Sequence, residues 1–227
     1  MSQRPFLETD KLLTDVLGNI AGLDVLDIGA GSGRLTHRLS NLGARAVGAE
    51  PNPEAVKAAQ AKHPDIRFVT APTEALPFDA ATFDISIFSL SLHHATDMRA
   101  AIGEACRVTR PGGLILAIEP EPRDPLYPVV RFIVDESDIC AEAQAALDKA
   151  VTSGALKRSS TLHIASKYNM ETPADMIADL VSVDSGRVLK DEDKPAFEAA
   201  FWDAHCQDET GGYLPYWSRA DVFKITD

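Results

Sequence analysis

The feature that most limits what this chain can fold into is the stretch from Val25 to Thr36, VLDIGAGSGRLT, where an apolar run meets three glycines at every second position. A strand, a glycine-rich turn and then a helix is the opening of an α/β unit that brings backbone N–H groups close to a ligand. The dinucleotide fingerprint G-x-G-x-x-G is not met, because the count from Gly29 places Arg34 at its last glycine. No lysine follows in the position that a phosphate-binding loop requires. Glycines at 29, 31 and 33, preceded by Asp27, therefore suit close backbone approach without a diphosphate cradle.

The rhythm continues downstream. Apolar periodicity predicts strands over 24–28, 46–50, 66–70, 83–89 and 114–119. Between them it predicts helices over 33–42 and 53–62, and one from the cap Asp97 to about 108, with an amphipathic helix over 7–20 in front. Such alternation calls for a parallel sheet covered on both faces through right-handed crossovers, a doubly wound α/β fold. After Glu119 the prolines 120, 122, 125 and 128 break the pattern. Helices are expected over 139–151, 173–180 and 192–205, and a last strand over 216–226; segments 180–183 and 187–189 compete for the sixth strand.

Charge narrows the partners. A formal net charge of −12 over 227 residues repels both a nucleic-acid backbone and an anionic membrane. No apolar run is long enough to span a bilayer, and MSQRPFLETD lacks the segments of a secretory signal. The cysteines 106, 140 and 206 form neither a disulfide framework nor a zinc pattern. A cytoplasmic protein with reduced thiols, no metal, no nucleic acid and no membrane partner is expected.

A second acid matters. Glu50 ends the second strand about 20 residues beyond the glycine loop, where a carboxylate can accept from both hydroxyls of a ribose. With it, the segments VLDIGAGSG, AVGAEPNPEAV, TEALPFDAATFDISIFSLSLHH and EACRVTRPGGLILAIE resemble, in order and spacing, the class I S-adenosylmethionine-dependent methyltransferases. The likeness is to the small-molecule branch that includes the quinone-biosynthesis enzymes, and it covers residues 24–119.

The resemblance implies a Rossmann-like methyltransferase domain over 1–227. It implies a mainly parallel seven-stranded sheet with helices on both faces and a substrate cap inserted after the fifth strand, about 121–170. The cofactor would be S-adenosylmethionine, leaving as S-adenosylhomocysteine. Asp27, Gly29, Ala30, Gly31 and Gly33 would face its methionine and ribose portions, and Glu50 its ribose diol. Pro51 would pack on the adenine, Thr73 and Glu74 would lie near its edge, and Ser89 and Leu90 near the sulfonium and amino group. One position departs from the pattern: Pro72 stands where the family usually has an acid that accepts from the adenine amino group. That role passes to the Thr73 hydroxyl, a backbone carbonyl or water.

Methyl transfer from a sulfonium is an in-line displacement, which needs alignment, exclusion of water and, for an acceptor that loses a proton, a general base. His93 and His94, just past the fourth strand, are the candidate bases; a helix cap or a pocket wall is the other reading of either. Phe6, Tyr127 and Tyr168 are the candidate substrate contacts. The expected function is methyl transfer to a small molecule by a monomer or homodimer. The alternative is a catalytically inactive protein of the same fold that binds the cofactor, its product or a partner.

Overall fold

The computed structural model describes residues 9–183 and 186–225. These divide into two compact units. The larger comprises 9–119, 142–162 and 219–225, and the smaller 120–141, 163–183 and 186–218.

In the larger unit, β1 (Asp24–Ile28), β2 (Arg45–Glu50), β3 (Arg67–Thr70), β4 (Phe83–Ser89) and β5 (Thr109–Pro120) alternate with α2 (Arg34–Asn41), α3 (Pro53–Lys62) and α4 (Met98–Val108), behind α1 (Thr9–Leu17). The first five strands pair in parallel in the order β3-β2-β1-β4-β5. The chain moves outward from β1 first one way and then the other, so right-handed crossovers lay α2 and α3 on one face of the sheet and α4 on the other. The sheet continues through β8 (Gly211–Lys224) to β6 (Lys157–Asn169), and a short β7 (Cys206–Asp208) pairs antiparallel with β8. Gly112 N–H donates to Ile225 O and Ile225 N–H to Gly113 O, so β5 begins where β8 ends and the two run antiparallel. Seven strands thus lie along the main path, as the resemblance implied.

The core of this unit explains its strands. Val25, Leu26, Ile28, Ile85, Ile87, Phe88, Ile115 and Leu116 are buried in strands covered on both faces, which is why they read as apolar runs rather than alternating ones. Ala101, Ile102, Ala105 and Val108 form the buried stripe of α4, and Ala143 and Leu147 of α6 (Ser137–Thr152) join the same cluster.

Several expectations need correction. The first helix ends at Leu17 rather than at residue 20, because Gly18 takes a φ of 70° and bends the chain away; residues 7 and 8 lie outside the described residues. β5 begins at Thr109, ahead of the expected 114, with a φ of 79° at Gly112 and a register shift against β4 between Phe83 and Ile85. The sixth strand is β6, inside the 121–170 stretch; residues 180–183 belong to α7 (Pro173–Val183), and 187–189 are irregular. The strand KRSSTLHIASKYN is polar because it ends the strand order, and edge strands carry charge and hydroxyls that discourage further pairing.

The smaller unit has its own core. Val129 of the four-residue α5 (Tyr127–Val130), Met176 and Leu180 of α7, Phe197 and Phe201 of α8 (Lys194–Ala204) and Leu214 form one buried cluster. The proline-rich entry to this unit is fastened by Asp124. Its Oδ1 accepts from Leu126 and Tyr127 N–H at 3.0 and 2.9 Å, and its Oδ2 from Trp217 N–H at 2.9 Å.

Candidate cofactor site

The glycine loop leaves the carboxyl end of β1, the central strand of the parallel set. Gly29, Gly31 and Gly33 have φ of 78°, 52° and 77°, the left-handed region that glycine enters without a Cβ penalty. The loop is strapped to β2: Gly29 and Ala30 N–H both donate to Ala49 O, at 2.8 and 3.0 Å. Each glycine also has its own surroundings. A Cβ at Gly29 would lie 2.5 Å from Ser91 Cβ, and one at Gly33 would lie 2.6 Å from the Phe68 ring. A Cβ at Gly31 would meet no atom within 4 Å. Gly31 thus presents an open backbone face, where a ligand can approach without a side chain in the way.

Glu50 lies beside that face. Its Oε2 accepts from Gly31 N–H at 2.9 Å and its Oε1 from Asn52 N–H at 3.0 Å. Both bonds use backbone donors, so each carboxylate oxygen keeps lone-pair capacity for a further donor. Asn52 in turn caps α3, accepting from Glu54 N–H at 2.9 Å. Pro51 stays exposed between them.

Asp27 is buried, at 2% exposure, and its Oδ2 accepts from Thr36 Oγ1 on α2 at 2.6 Å. Desolvation pushes its pKa up from 3.8 to about 6, against the Thr36 hydrogen bonds and with some help from the Glu50 charge. Asp27 therefore fastens the strand to the helix on either side of the loop. Thr36 carried no signal in the sequence beyond its place nine residues on.

Past β3, Thr73 is buried and its Oγ1 donates to Glu74 Oε2 at 3.1 Å. With its proton so directed, the hydroxyl keeps lone pairs for an incoming donor. Burial works against the ionised form of Glu74, but N–H donors including Asp97, at 3.1 Å from Oε1, hold its pKa below the ordinary value.

The segment after β4 is the most constrained. Leu90 has a φ of 56°, a conformation that costs a residue with a Cβ roughly 1–2 kcal/mol. Its N–H donates to Ile118 O at 2.8 Å, and Ser91 Oγ donates to Ile28 O at 2.6 Å, so the turn is tied to the carboxyl ends of β5 and β1. Leu92–His94 form a 3-10 turn in which His93 is buried and His94 exposed, with ring centroids 4.0 Å apart. Sequence reasoning missed Glu119, the last acid of β5. Its Oε1 accepts from Leu92 N–H at 2.8 Å, and its Oε2 lies 2.5 Å from His93 Nδ1. The signal was present: like Glu50, it is a carboxylate closing an apolar strand at the carboxyl edge of the sheet.

The expected cofactor residues and both histidines thus fall in the larger unit. Tyr127 and Tyr168 fall in the smaller one, where their hydroxyls donate to Asp135 and Asp179 respectively. Phe6 lies outside the described residues. Two clefts of about 520 and 350 Å³ open elsewhere, at the amino ends of the strands, lined by residues such as Asp24, Asp84 and Arg110. Among the described residues there is no group of three or more potential metal ligands and no helix long and apolar enough to cross a membrane. The three cysteines are unbridged.

Known proteins match this geometry. Residues 26–117 fit a family model described as a methyltransferase domain. A demethylmenaquinone methyltransferase of Renibacterium salmoninarum is 31% identical over 109 residues, covering 48% of this chain and 46% of that protein. The chain spans about half the length of the curated relatives it matches. The YcgJ protein of Bacillus subtilis has a similar structure, with a TM-score of 0.62 at 20% identity over 96% of this chain and 97% of that one. A SAM-dependent methyltransferase from Aquifex aeolicus is similar at a TM-score of 0.60 and 12% identity, over 96% and 90% of the two chains. The fold is that of the class I S-adenosylmethionine-dependent methyltransferase superfamily.

Proposed function

We propose that this chain, built on the class I methyltransferase fold, transfers a methyl group from S-adenosylmethionine to a small molecule. The observation that supports the reading most is the pairing of Glu50 with the open face of Gly31. A carboxylate held by two backbone N–H groups, with lone pairs to spare, is suited to a ribose diol, and the bare glycine backbone lets the sugar come close.

The other assignments follow from this one. Asp27, Gly29, Ala30 and Gly33 shape the loop for the methionine portion, and Pro51 offers an apolar surface to the adenine. Thr73 and Glu74 meet the adenine edge, and Ser89 and Leu90 border the reacting end. The cofactor supplies a methyl group on a sulfonium, open to in-line attack. The chain's part is to orient that end, exclude water, and take a proton where the acceptor releases one, a role that falls to His93 in preference to the exposed His94. Tyr127 and Tyr168 select the acceptor. The chain works as one cytoplasmic methyltransferase domain, as a monomer or homodimer, with no nucleic acid or membrane partner.

The second reading, a protein that binds the cofactor but transfers nothing, is favoured by Pro72 in place of the usual adenine-binding acid. Label transfer separates the two. With methyl-labelled S-adenosylmethionine and a panel of phenols, quinols, carbon acids and amines, label should appear in at least one acceptor. Tight binding of S-adenosylhomocysteine with no transfer across the panel would favour the second reading.

A further inference from the structure

We propose that Glu119 is a positioning residue that fixes the tautomer of His93, leaving Nε2 as a proton acceptor, so that the molecules methylated are ones that give up a proton, such as phenols and carbon acids. This rests on the methyltransferase reading above.

The side chains of His93 and Glu119 are 3% and 1% exposed, and their contact is the 2.5 Å approach of Nδ1 to Oε2. A carboxylate only accepts, so in the neutral ring Nδ1 carries the proton and Nε2 keeps its lone pair. Among the described residues, Nε2 has no hydrogen-bond partner. Nε2 is not among the fully buried atoms left without a partner, so this one corner of the ring stays accessible to an incoming molecule. The location fits that use. The turn bearing His93 is tied through Ser91 to Ile28 O, and Ser91 Cβ fills the space that a Gly29 Cβ would need, so the histidine turn packs against the glycine loop itself.

A purely structural role for Glu119 makes a different forecast. The carboxylate also accepts from the N–H groups of Leu92 and Ser91, at 2.8 and 3.3 Å, and could serve only to hold the turn. Glutamine separates the two roles. In Glu119→Gln the amide oxygen can take over both backbone N–H groups, which turns the amide NH₂ toward His93. Nδ1 must then accept, the ring proton moves to Nε2, and the proton-accepting lone pair is lost.

The test is a long-range ¹H–¹⁵N correlation spectrum of protein labelled with ¹⁵N-histidine, with the His93 signals assigned through His93→Asn. The wild type should show the Nδ1–H tautomer and Glu119→Gln the Nε2–H tautomer, with thermal unfolding unchanged and the Kd for S-adenosylhomocysteine within about twofold, since no cofactor contact is altered. Nε2–H in the wild type, or the same tautomer in both proteins, overturns the proposal. With phenol or carbon-acid acceptors, Glu119→Gln should lower kcat about 10²-fold or more with KM little changed; equal kcat values overturn it as well. Failure of the wild type to bind S-adenosylhomocysteine would remove the methyltransferase reading instead, while the tautomer would still decide what Glu119 does to His93.

Discussion

Replacing Asp27 by asparagine should favour the folded protein more at neutral pH than in acid. Asp27 is buried beneath the glycine loop, and its pKa is raised from 3.8 to about 6, chiefly by desolvation. An acid with a raised pKa holds its proton longer in the folded than in the unfolded chain. It therefore costs nothing below about pH 4, and the cost grows as pH rises through the folded value. The full shift corresponds to about 3 kcal/mol at neutral pH, roughly half of it developing above pH 5. Asparagine cannot ionise, and its amide oxygen can still accept from Thr36. Its NH₂ group carries a burial cost of its own, but that cost does not change with pH. Urea unfolding of both proteins, from pH 5 to pH 7.5, gives the difference in stability at each pH, in which the other titrating groups cancel. The difference should move in favour of Asp27→Asn by about 1–2 kcal/mol over that range. A difference independent of pH would refute the reasoning, and one moving the other way would mean that Asp27 is stabilised as a carboxylate.

Two glycine substitutions should behave differently. Gly48→Ala places a Cβ 2.5 Å from Phe68 Cδ1 and 2.9 Å from Ala30 Cβ, so it should lower stability by about 1–3 kcal/mol or more in a thermal melt. Gly31→Ala meets no atom and should cost only about 1–2 kcal/mol through its backbone, yet weaken S-adenosylhomocysteine binding by more than tenfold in calorimetry, because the new methyl group fills the approach to the loop. Asp124→Ala removes the carboxylate that accepts from the N–H groups of Leu126, Tyr127 and Trp217, leaving Tyr127 only its longer bond to Asp124 O at 3.2 Å. Hydrogen exchange at those three amides should speed up markedly, reflecting a local loss of about 1–3 kcal/mol, while amides of β1 and β4 remain protected. Thr73→Val keeps the shape but removes the hydroxyl, and should raise the Kd for S-adenosylhomocysteine about fivefold to tenfold.

Legibility in the sequence followed the range of the interactions. The glycine loop, the strand ends at Glu50 and Ser89 and the cap at Asp97 are local patterns, and the structure places them within a residue or two of expectation. Strands buried on both faces announce themselves as apolar runs; β6 did not, because an edge strand with Lys157, Arg158, Ser159, Ser160 and Thr161 looks like a loop until its partner is known. The bend at Gly18 and the strand character of 110–113 depend on what each segment meets, Gly112 being paired with Ile225 from the far end of the chain. The candidate site divides in the same way. Asp27 and Glu50 could be picked from spacing, whereas Thr36 under Asp27 and Glu119 against His93 are pairings across strands and helices that spacing does not encode.

The central claim, that Gly31 and Glu50 hold the ribose of S-adenosylmethionine, is tested most directly by calorimetric titration with S-adenosylhomocysteine on the wild type and Glu50→Ala, with NAD as a control. The wild type should bind in the micromolar range, about −8 kcal/mol, and NAD should not bind. Removal of two charge-assisted hydrogen bonds should cost Glu50→Ala about 3 kcal/mol or more, a loss of at least a hundredfold. Equal affinity in the two proteins, or no binding by a folded wild type, would contradict the claim.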